Sequence, residues 1–321
     1  MIKIYSTLNY YGDDGWYYDK LSSANACGVY GIRINLCKFS DDKAYDVIQR
    51  VISIRNKVNK NIRIVIDIPY PNNKDRILDM NFSGIVKNNE IYHIIADQKL
   101  SRQQNLICVE QINSGLHKVG EILIYGDGEG GFEIIAVDGD RITVKALGTF
   151  EIGKTKSINL ELIKCKVNAW KKTLTIEEPL DFLLSFVESA DDVIELHKYI
   201  QNGGKVISKV ETLKAMDNIE DIVKVSDGVL VARGDLGLCD SVGLYDNFNT
   251  IVNVCKKHNK TVLCATDILL SHTNLYIPSR SDIMDISHII SKGCKGIVLN
   301  NVNWDYEKTV CYINKIEQRY S

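Results

Sequence analysis

Eight short runs rich in β-branched and aromatic residues recur along this chain, and helical patterns lie between most of them. The runs fall at Lys3–Ser6, Tyr30–Ile34, Ile62–Asp67, Asp181–Val187, Lys205–Lys209, Gly228–Ala232, Thr261–Ala265 and Gly296–Leu299. Apolar residues at helical spacing mark Asp42–Lys57, Ala190–Tyr199, Ile219–Lys224, Tyr245–Lys257 and Ser281–Ser291. Ser189 precedes one of these as an N-cap, and Asp191 and Asp192 follow in its first turn, where acids suit the helix dipole. Eight strands alternating with helices predict an α/β protein, a (β/α)8 TIM barrel.

The rhythm breaks once. The third run ends at Asp67 and the fourth begins only at Asp181, far more than the few residues of an ordinary βα connection. Inside that gap the pattern turns hairpin-like at Gly120–Tyr125, Gly131–Val137 and Arg141–Leu147, with Asp138-Gly139 as a turn signal. This predicts a small all-β lid domain, residues 71–165, inserted into a barrel made of residues 1–70 and 166–321. Gly126, Gly128 and Gly131 satisfy G-x-G-x-x-G there, but they lead into another strand. A dinucleotide fingerprint must open a helix, so these glycines read as a hairpin turn.

The chain has 321 residues, 45% of them apolar, enough for a sizeable core. A formal net charge of −2 offers no basic face for nucleic acid or a membrane surface. No apolar run approaches membrane-spanning length, and Met1-Ile2-Lys3-Ile4-Tyr5 reads as a strand and not as a signal peptide. Nine dispersed cysteines without a Cys-x-x-Cys pair argue for reduced thiols and a cytoplasmic protein.

In such a barrel the chemistry sits at the C-terminal ends of the strands. The residues there are Thr7, Arg33, Asn35, Asp67, Ser185, Lys209, Glu211, Arg233, Asp235, Thr266 and Asn300. Two short signals stand out, Ile207-Ser208-Lys209-Val210-Glu211 and Val231-Ala232-Arg233-Gly234-Asp235-Leu236-Gly237. The carboxylates Glu211 and Asp235 suit a hard divalent cation, Mg²⁺ or Mn²⁺, which completes its shell with water and substrate oxygens. Lys209 beside such an ion suits an anionic, phosphorylated or carboxylated substrate. The plainer readings are structural: Arg33 and Asp67 as a mutual ion pair, Lys156 as a solvated surface lysine. The six histidines show no ligand spacing, and His272 and His288 read as ordinary polar residues. Tyr10, Tyr11, Tyr17 and Tyr18 read as packing or surface contact.

These stretches resemble the pyruvate kinase family, whose signature runs close to A-K-I-E and then V-A-R-G-D-L-G. Gly120-Glu121-Ile122-Leu123-Ile124-Tyr125-Gly126-Asp127-Gly128 resembles that family's lid, so the likeness spans almost the whole chain. The resemblance implies that Lys209 contacts the phosphoryl group in flight and that Glu211 and Asp235 are the metal ligands. It implies that Ala232, Gly234 and Asp235 form the turn holding the carboxylate of phosphoenolpyruvate, and that Thr266 lines the substrate pocket. Arg33 and Asn35 match R-x-N, with the arginine on phosphate, and Asp67 falls on the aspartate ending the third strand. Lys156 matches a lysine that contacts nucleotide phosphates, and Asn35 is assigned to the nucleotide as well. The implied partners are phosphoenolpyruvate or pyruvate, and ADP or ATP or another acceptor; a homo-oligomer is compatible.

The sequence also departs from the family. Cys37 replaces a serine of the potassium site, so K⁺ is expected to matter little, with Lys38 or Lys74 as a substitute charge. Lys38 replaces a nucleotide-touching histidine. The arginine expected after the third strand is Lys74 or Arg76. Asn300-Asn301-Val302-Asn303 replaces S-G-E-T, where a serine serves enolate protonation, and Asp267-Ile268 follows Thr266 in place of Q-M. The sequence ends one helix after the eighth strand, which reads as a member without the C-terminal regulatory domain. The expected activity is Mg²⁺-dependent phosphoryl transfer from phosphoenolpyruvate. A metal-dependent pyruvate-enolate lyase or aldolase, and a non-catalytic phosphoenolpyruvate-binding regulator, are the alternatives.

Overall fold

The computed structural model describes residues 1–8, 12–36, 39, 41–68, 72–73, 77–96, 103–109, 112, 114–154, 156–158, 163–164, 171–200, 203–273, 275–299 and 306–320. It separates into two compact units, Met1–Pro71 with Lys166–Ser321, and Asn72–Cys165. Cys37, Lys38, Lys74, Arg76, Asn300 and Asn301 lie outside the described residues, as do Tyr10 and Tyr11.

In the first unit eight strands close a barrel: Lys3–Leu8, Gly31–Asn35, Arg63–Ile68, Asp181–Leu184, Val206–Val210, Gly228–Ala232, Thr261–Ala265 and Gly296–Leu299. Each pairs in parallel with the next, and the eighth pairs with the first through Lys3 opposite Gly296. The predicted (β/α)8 barrel is what forms. Alternation along each strand makes two apolar layers. Tyr5, Val65, Leu183, Ile207, Leu230, Leu263 and Val298 fill the interior. Ile4, Ile32, Ile34, Ile64, Ile66 and Phe182 face the helices. Both faces are covered, which is why the strands read as nearly continuous apolar runs.

The helices follow the same logic. Leu244–Lys257 buries Phe248, Ile251, Val252 and Cys255, one face at spacings of three and four. Asp192, in Ala190–His197, accepts from the N–H of Glu188 and of Ser189 at 2.9 Å each, so the predicted cap region is tied down. Four described α-helices fall outside the sequence reading: the short Lys171–Leu174 and Leu213–Asp217, and two others. Asp14–Ala26 covers the tyrosine-rich stretch, burying Tyr17, Leu21 and Ala24 behind an Asp13 cap that accepts from Trp16 N–H at 2.8 Å. Arg233–Cys239 is a short helix where the glycines suggest only a turn. The fourth strand stops at Leu184, because Phe186 turns out at φ +50° and ends the extended backbone.

The second unit holds a six-stranded sheet in the order Ile77–Met80, Leu106–Val109, Ile91–Ile95, Arg141–Ala146, Gly130–Asp138, Ile122–Tyr125. Tyr92, Phe132, Ile134, Ile142 and Val144 are its core. The hairpin loop is Gly139-Asp140, one residue beyond the expected Asp138-Gly139, since Asp138 already pairs with Arg141. Gly139 takes φ +53°, which a glycine adopts without strain. The Gly126 to Gly131 stretch joins two antiparallel strands and opens no helix. Among the described residues no helix is long and apolar enough to cross a membrane. Cys27, Cys108, Cys239, Cys255, Cys264, Cys294 and Cys311 are all free thiols.

Tyr5 is the widest side chain in the barrel interior, and it fits because its neighbours are glycines. A Cβ on Gly31 would stand 2.9 Å from Tyr5 Cδ1 and 3.0 Å from the Arg63 carbonyl oxygen. Gly31→Ala is expected to cost about 1–3 kcal/mol, the usual range for overpacking. The shift of the urea midpoint measures it, and Tyr5→Leu in the same chain should recover part of the loss. An unchanged midpoint for Gly31→Ala would show that the interior is looser than this contact requires.

Candidate active site

The charged side chains gather where the strands end. Thr7, Arg33, Asn35 and Asp67 lie near the ends of the first three strands, and register sets Thr7 beside Arg33 and Asn35 beside Asp67. Ser185 follows the fourth strand directly. Lys209 sits on the fifth and Glu211 just beyond it. Asp235 lies in the first turn of the helix after the sixth, where the helix dipole favours an acid. Thr266 follows the seventh.

Within this set Arg33 grips Asp67. Its Nε donates to Asp67 Oδ2 at 2.8 Å, its Nη2 bonds the same oxygen, and its Nη1 donates to Thr7 Oγ1 at 3.0 Å. The Thr7 hydroxyl gives its own proton to the Leu299 carbonyl at 2.7 Å. The pairing of Arg33 with Asp67 considered from sequence therefore exists, and it belongs to a larger cluster. Lys209 Nζ stands 2.9 Å from Ser185 Oγ, 3.1 Å from Glu211 Oε1 and 3.4 Å from Asp67 Oδ1. Ser185 Oγ donates to Asp67 Oδ1 at 3.1 Å. Glu211 receives the Phe186 backbone N–H on its other oxygen at 2.6 Å.

Burial makes these charges interdependent. The Lys209 and Glu211 side chains are 11% and 2% exposed. Burial alone would raise the Asp67 carboxyl, but Lys209 and Arg33 outweigh it and hold it below the usual carboxylate range. Burial would lower the Lys209 ammonium, but Asp67 and Glu211 reverse that and keep it protonated. Glu211 goes the other way: burial, then the nearby Asp235 charge, push its carboxyl up despite Lys209. Two cations thus face three carboxyl groups, one acid in excess.

That excess bears on metal binding. Among the described residues no three His, Cys, Asp or Glu side chains converge as an all-protein cage. Glu211 and Asp235 are the pair whose mutual repulsion a divalent cation would relieve. Mg²⁺ typically takes one or two carboxylates and fills the rest of its shell with water and ligand oxygens, so the pair fits.

Sequence reasoning placed Arg233 at a strand end without a task. Its guanidinium turns to Asp285 at 2.5 Å, and to the carbonyl oxygens of Ala265 at 3.2 Å and Thr266 at 2.5 Å. It braces the segment in which Thr266 and Asp267 hold φ of +74° and +54°, an arrangement unfavourable for side chains with a Cβ. Ala232 is buried at the end of the sixth strand. Gly234 packs on Thr266, where a Cβ would lie 3.0 Å from the threonine methyl. Lys156 belongs to the second unit and pairs there with Glu129, lying 5.7 Å from the Tyr125 ring centroid. Sequence reasoning missed Asp285, Glu129 and the Phe186 N–H, whose parts are set by geometry alone.

A parallel barrel with buried cations and carboxylates at the C-terminal ends of its strands defines a (β/α)8 protein, and that end is where the fold usually carries its ligand site. Residues 2–303 match the family described as "Pyruvate kinase, barrel domain", and the chain belongs to the pyruvate kinase family. It is 29% identical over 296 residues to a pyruvate kinase of Thermotoga maritima, covering 88% of this chain and 63% of that protein. A pyruvate kinase of Dictyostelium discoideum is 27% identical over 289 residues, 85% of this chain and 57% of the relative. The chain therefore spans less than two thirds of the length of these two relatives.

Asp67 carries the cluster's cations, so Asp67→Asn should lower stability at pH 7 by about 3–5 kcal/mol, the scale for removing one partner of a buried pair. Its folded-state carboxyl titrates below the ordinary value of about 3.9, so its contribution is complete above that value. The contribution is lost as pH falls through the lower folded-state value. The gap between wild type and variant, read from urea midpoints, should hold steady from pH 7 to 5 and shrink below about pH 4. A gap that ignores acid would mean that Asp67 is not ionised in the folded chain.

Proposed function

We propose that this chain transfers the phosphoryl group of phosphoenolpyruvate to ADP or another acceptor, with Mg²⁺ or Mn²⁺ held by Glu211 and Asp235. The observation that carries this reading is the position of Lys209, a protonated lysine fixed beside Arg33 and against the carboxylate pair. Phosphoryl transfer asks the protein chiefly for positioning and for fixed positive charge around the moving group. Arg33 and Lys209 supply that charge. The bound cation would neutralise the enolpyruvate carboxylate and a phosphoryl oxygen. Ala232, Gly234 and Asp235 would seat the carboxylate through the turn at the helix start, and Thr266 would line the pocket.

Asn35 and Asp67 complete the wall on the Arg33 side. On the family resemblance we assign Lys156 to nucleotide phosphates, where it would exchange Glu129 for a phosphate oxygen, and Asn35 to nucleotide binding. A K⁺ requirement is not part of the reading, because Cys37 stands where the family has a serine of its potassium site. An enolate lyase uses a metal and its carboxylates but has no task for two cations set side by side. A regulator that only binds phosphoenolpyruvate would show tight binding and no pyruvate with every acceptor tried.

Two variants separate these roles. Glu211→Gln should abolish Mn²⁺-dependent binding of phosphoenolpyruvate, followed by titration of the metal with and without substrate. Unimpaired binding in that variant removes the metal assignment. Lys209→Met should keep metal binding and lose phosphoryl transfer by on the order of 10² to 10³ in rate, the scale for removing one electrostatic stabiliser. Pyruvate release at the wild-type rate from Lys209→Met would instead favour chemistry that needs no charge on a phosphoryl group.

A further inference from the structure

Lys209 has three protons, and among the described residues it has three oxygen partners, Ser185, Glu211 and Asp67. A lysine so engaged reaches a ligand only by giving one of them up. Glu211 is the partner that a bound cation would claim. Asp67 is the most distant of the three and is already held by Arg33. Ser185 is the nearest, and its hydrogen bonds have one possible direction. An ammonium only donates and an ionised carboxylate only accepts, so Lys209 donates to Ser185 Oγ and Ser185 donates to Asp67. The hydroxyl is buried, and the adjoining Phe186, bent to φ +50°, sends its N–H to Glu211. One backbone corner thus touches the lysine, its counter-ion and the carboxylate beside it.

We infer that Ser185 is the positioning residue for Lys209: it pivots the ammonium while the Glu211-facing proton is turned over to the substrate. The inference rests on the phosphotransferase reading for its catalytic consequence, but the anchoring itself does not depend on that reading. Without the hydroxyl, Lys209 would stay charged between Asp67 and Glu211 and would be held only by ion pairs, which fix direction poorly. The loss should therefore fall on the step in which the lysine must point at a charge in flight. It should spare ground-state binding and the cation.

The test uses Ser185→Ala and Ser185→Thr in the full chain. For phosphoenolpyruvate turnover, Ser185→Ala should lower kcat about tenfold or more, as expected for a lost transition-state contact, with KM and Mn²⁺ affinity within about threefold of wild type. Ser185→Thr, which keeps the hydroxyl, should recover most of the loss. In nitrogen-15 spectra of lysine ammonium groups, the signal missing from Lys209→Met identifies Lys209. That signal should be sharp in wild type, broadened away in Ser185→Ala and restored in Ser185→Thr. An unchanged Lys209 signal in Ser185→Ala overturns the inference, as does a fall in kcat, metal affinity and melting temperature together that threonine fails to rescue. If wild type releases no pyruvate with any acceptor, the function reading fails, while the ammonium signal still decides whether Ser185 anchors the lysine.

Discussion

Everything at the mouth of this barrel depends on keeping Lys209 charged in a place with almost no water. An unpaired ammonium at such a site would lose its proton, because burial disfavours the charged form. Asp67 and Glu211 prevent that. Asp67 in turn needs Arg33, and Arg33 extends the chain of contacts to Thr7 and the Leu299 carbonyl on the eighth strand. Four charged side chains from three stretches of chain, at the ends of the second, third and fifth strands, are therefore one electrostatic object. Such clusters add little net stability compared with apolar packing of the same volume, yet they punish the loss of any single member. Their place at the C-terminal ends of the strands, where this fold usually carries its site, is what motivates the proposed role.

The barrel was legible because its strands obey a two-sided rule. Gly228–Ala232, Thr261–Ala265 and Gly296–Leu299 occupy the bounds that their apolar runs predict, since nothing beyond each run can be covered on both faces. The fourth strand was read too long for the same reason in reverse. Phe186 and Val187 are apolar and buried, but a left-handed backbone at Phe186 takes them out of the sheet. The helix Asp14–Ala26 hid behind its composition. Only Tyr17, Leu21 and Ala24 are buried, and the aromatic residues around them obscure the stripe. Arg233–Cys239 hid behind its two glycines, which local propensity counts against a helix and tertiary context overrides.

The site was half legible. Lys209, Glu211, Arg33 and Asp67 could be named because charged residues at the ends of apolar strands need a reason to be there. Apart from the Arg33–Asp67 pair, their partners in each contact could not. Ser185 was one serine among several polar strand-end residues, and its two hydrogen bonds exist only once the third, fourth and fifth strands lie side by side. Asp285 is distant in sequence from Arg233, and helix periodicity explains it equally well as a solvated position. Arg233 itself shows how a motif can mislead by proximity. It stands next to Gly234 and Asp235, but it faces the backbone of the next strand's loop.

Two corners carry the strain of this arrangement, and both lie beside the charges. Phe186 holds φ +50° and Thr266 φ +74°, values that usually cost a residue with a Cβ about 1–3 kcal/mol. Each corner is held by a specific polar contact: the Phe186 N–H by Glu211, the Thr266 carbonyl by Arg233. In both cases the backbone, and not the side chain, makes the contact, so many residue types could stand there and sequence offers no signal. The consequence runs from backbone to chemistry. If Glu211 turns toward a cation, it can do so with the Phe186 N–H still on one of its oxygens. If Thr266 meets a ligand, its angle is set by a guanidinium that Asp285 holds from outside the barrel. The strained corners thus fix the directions in which two site residues can move, leaving Lys209 as the group whose partners must change when a ligand enters.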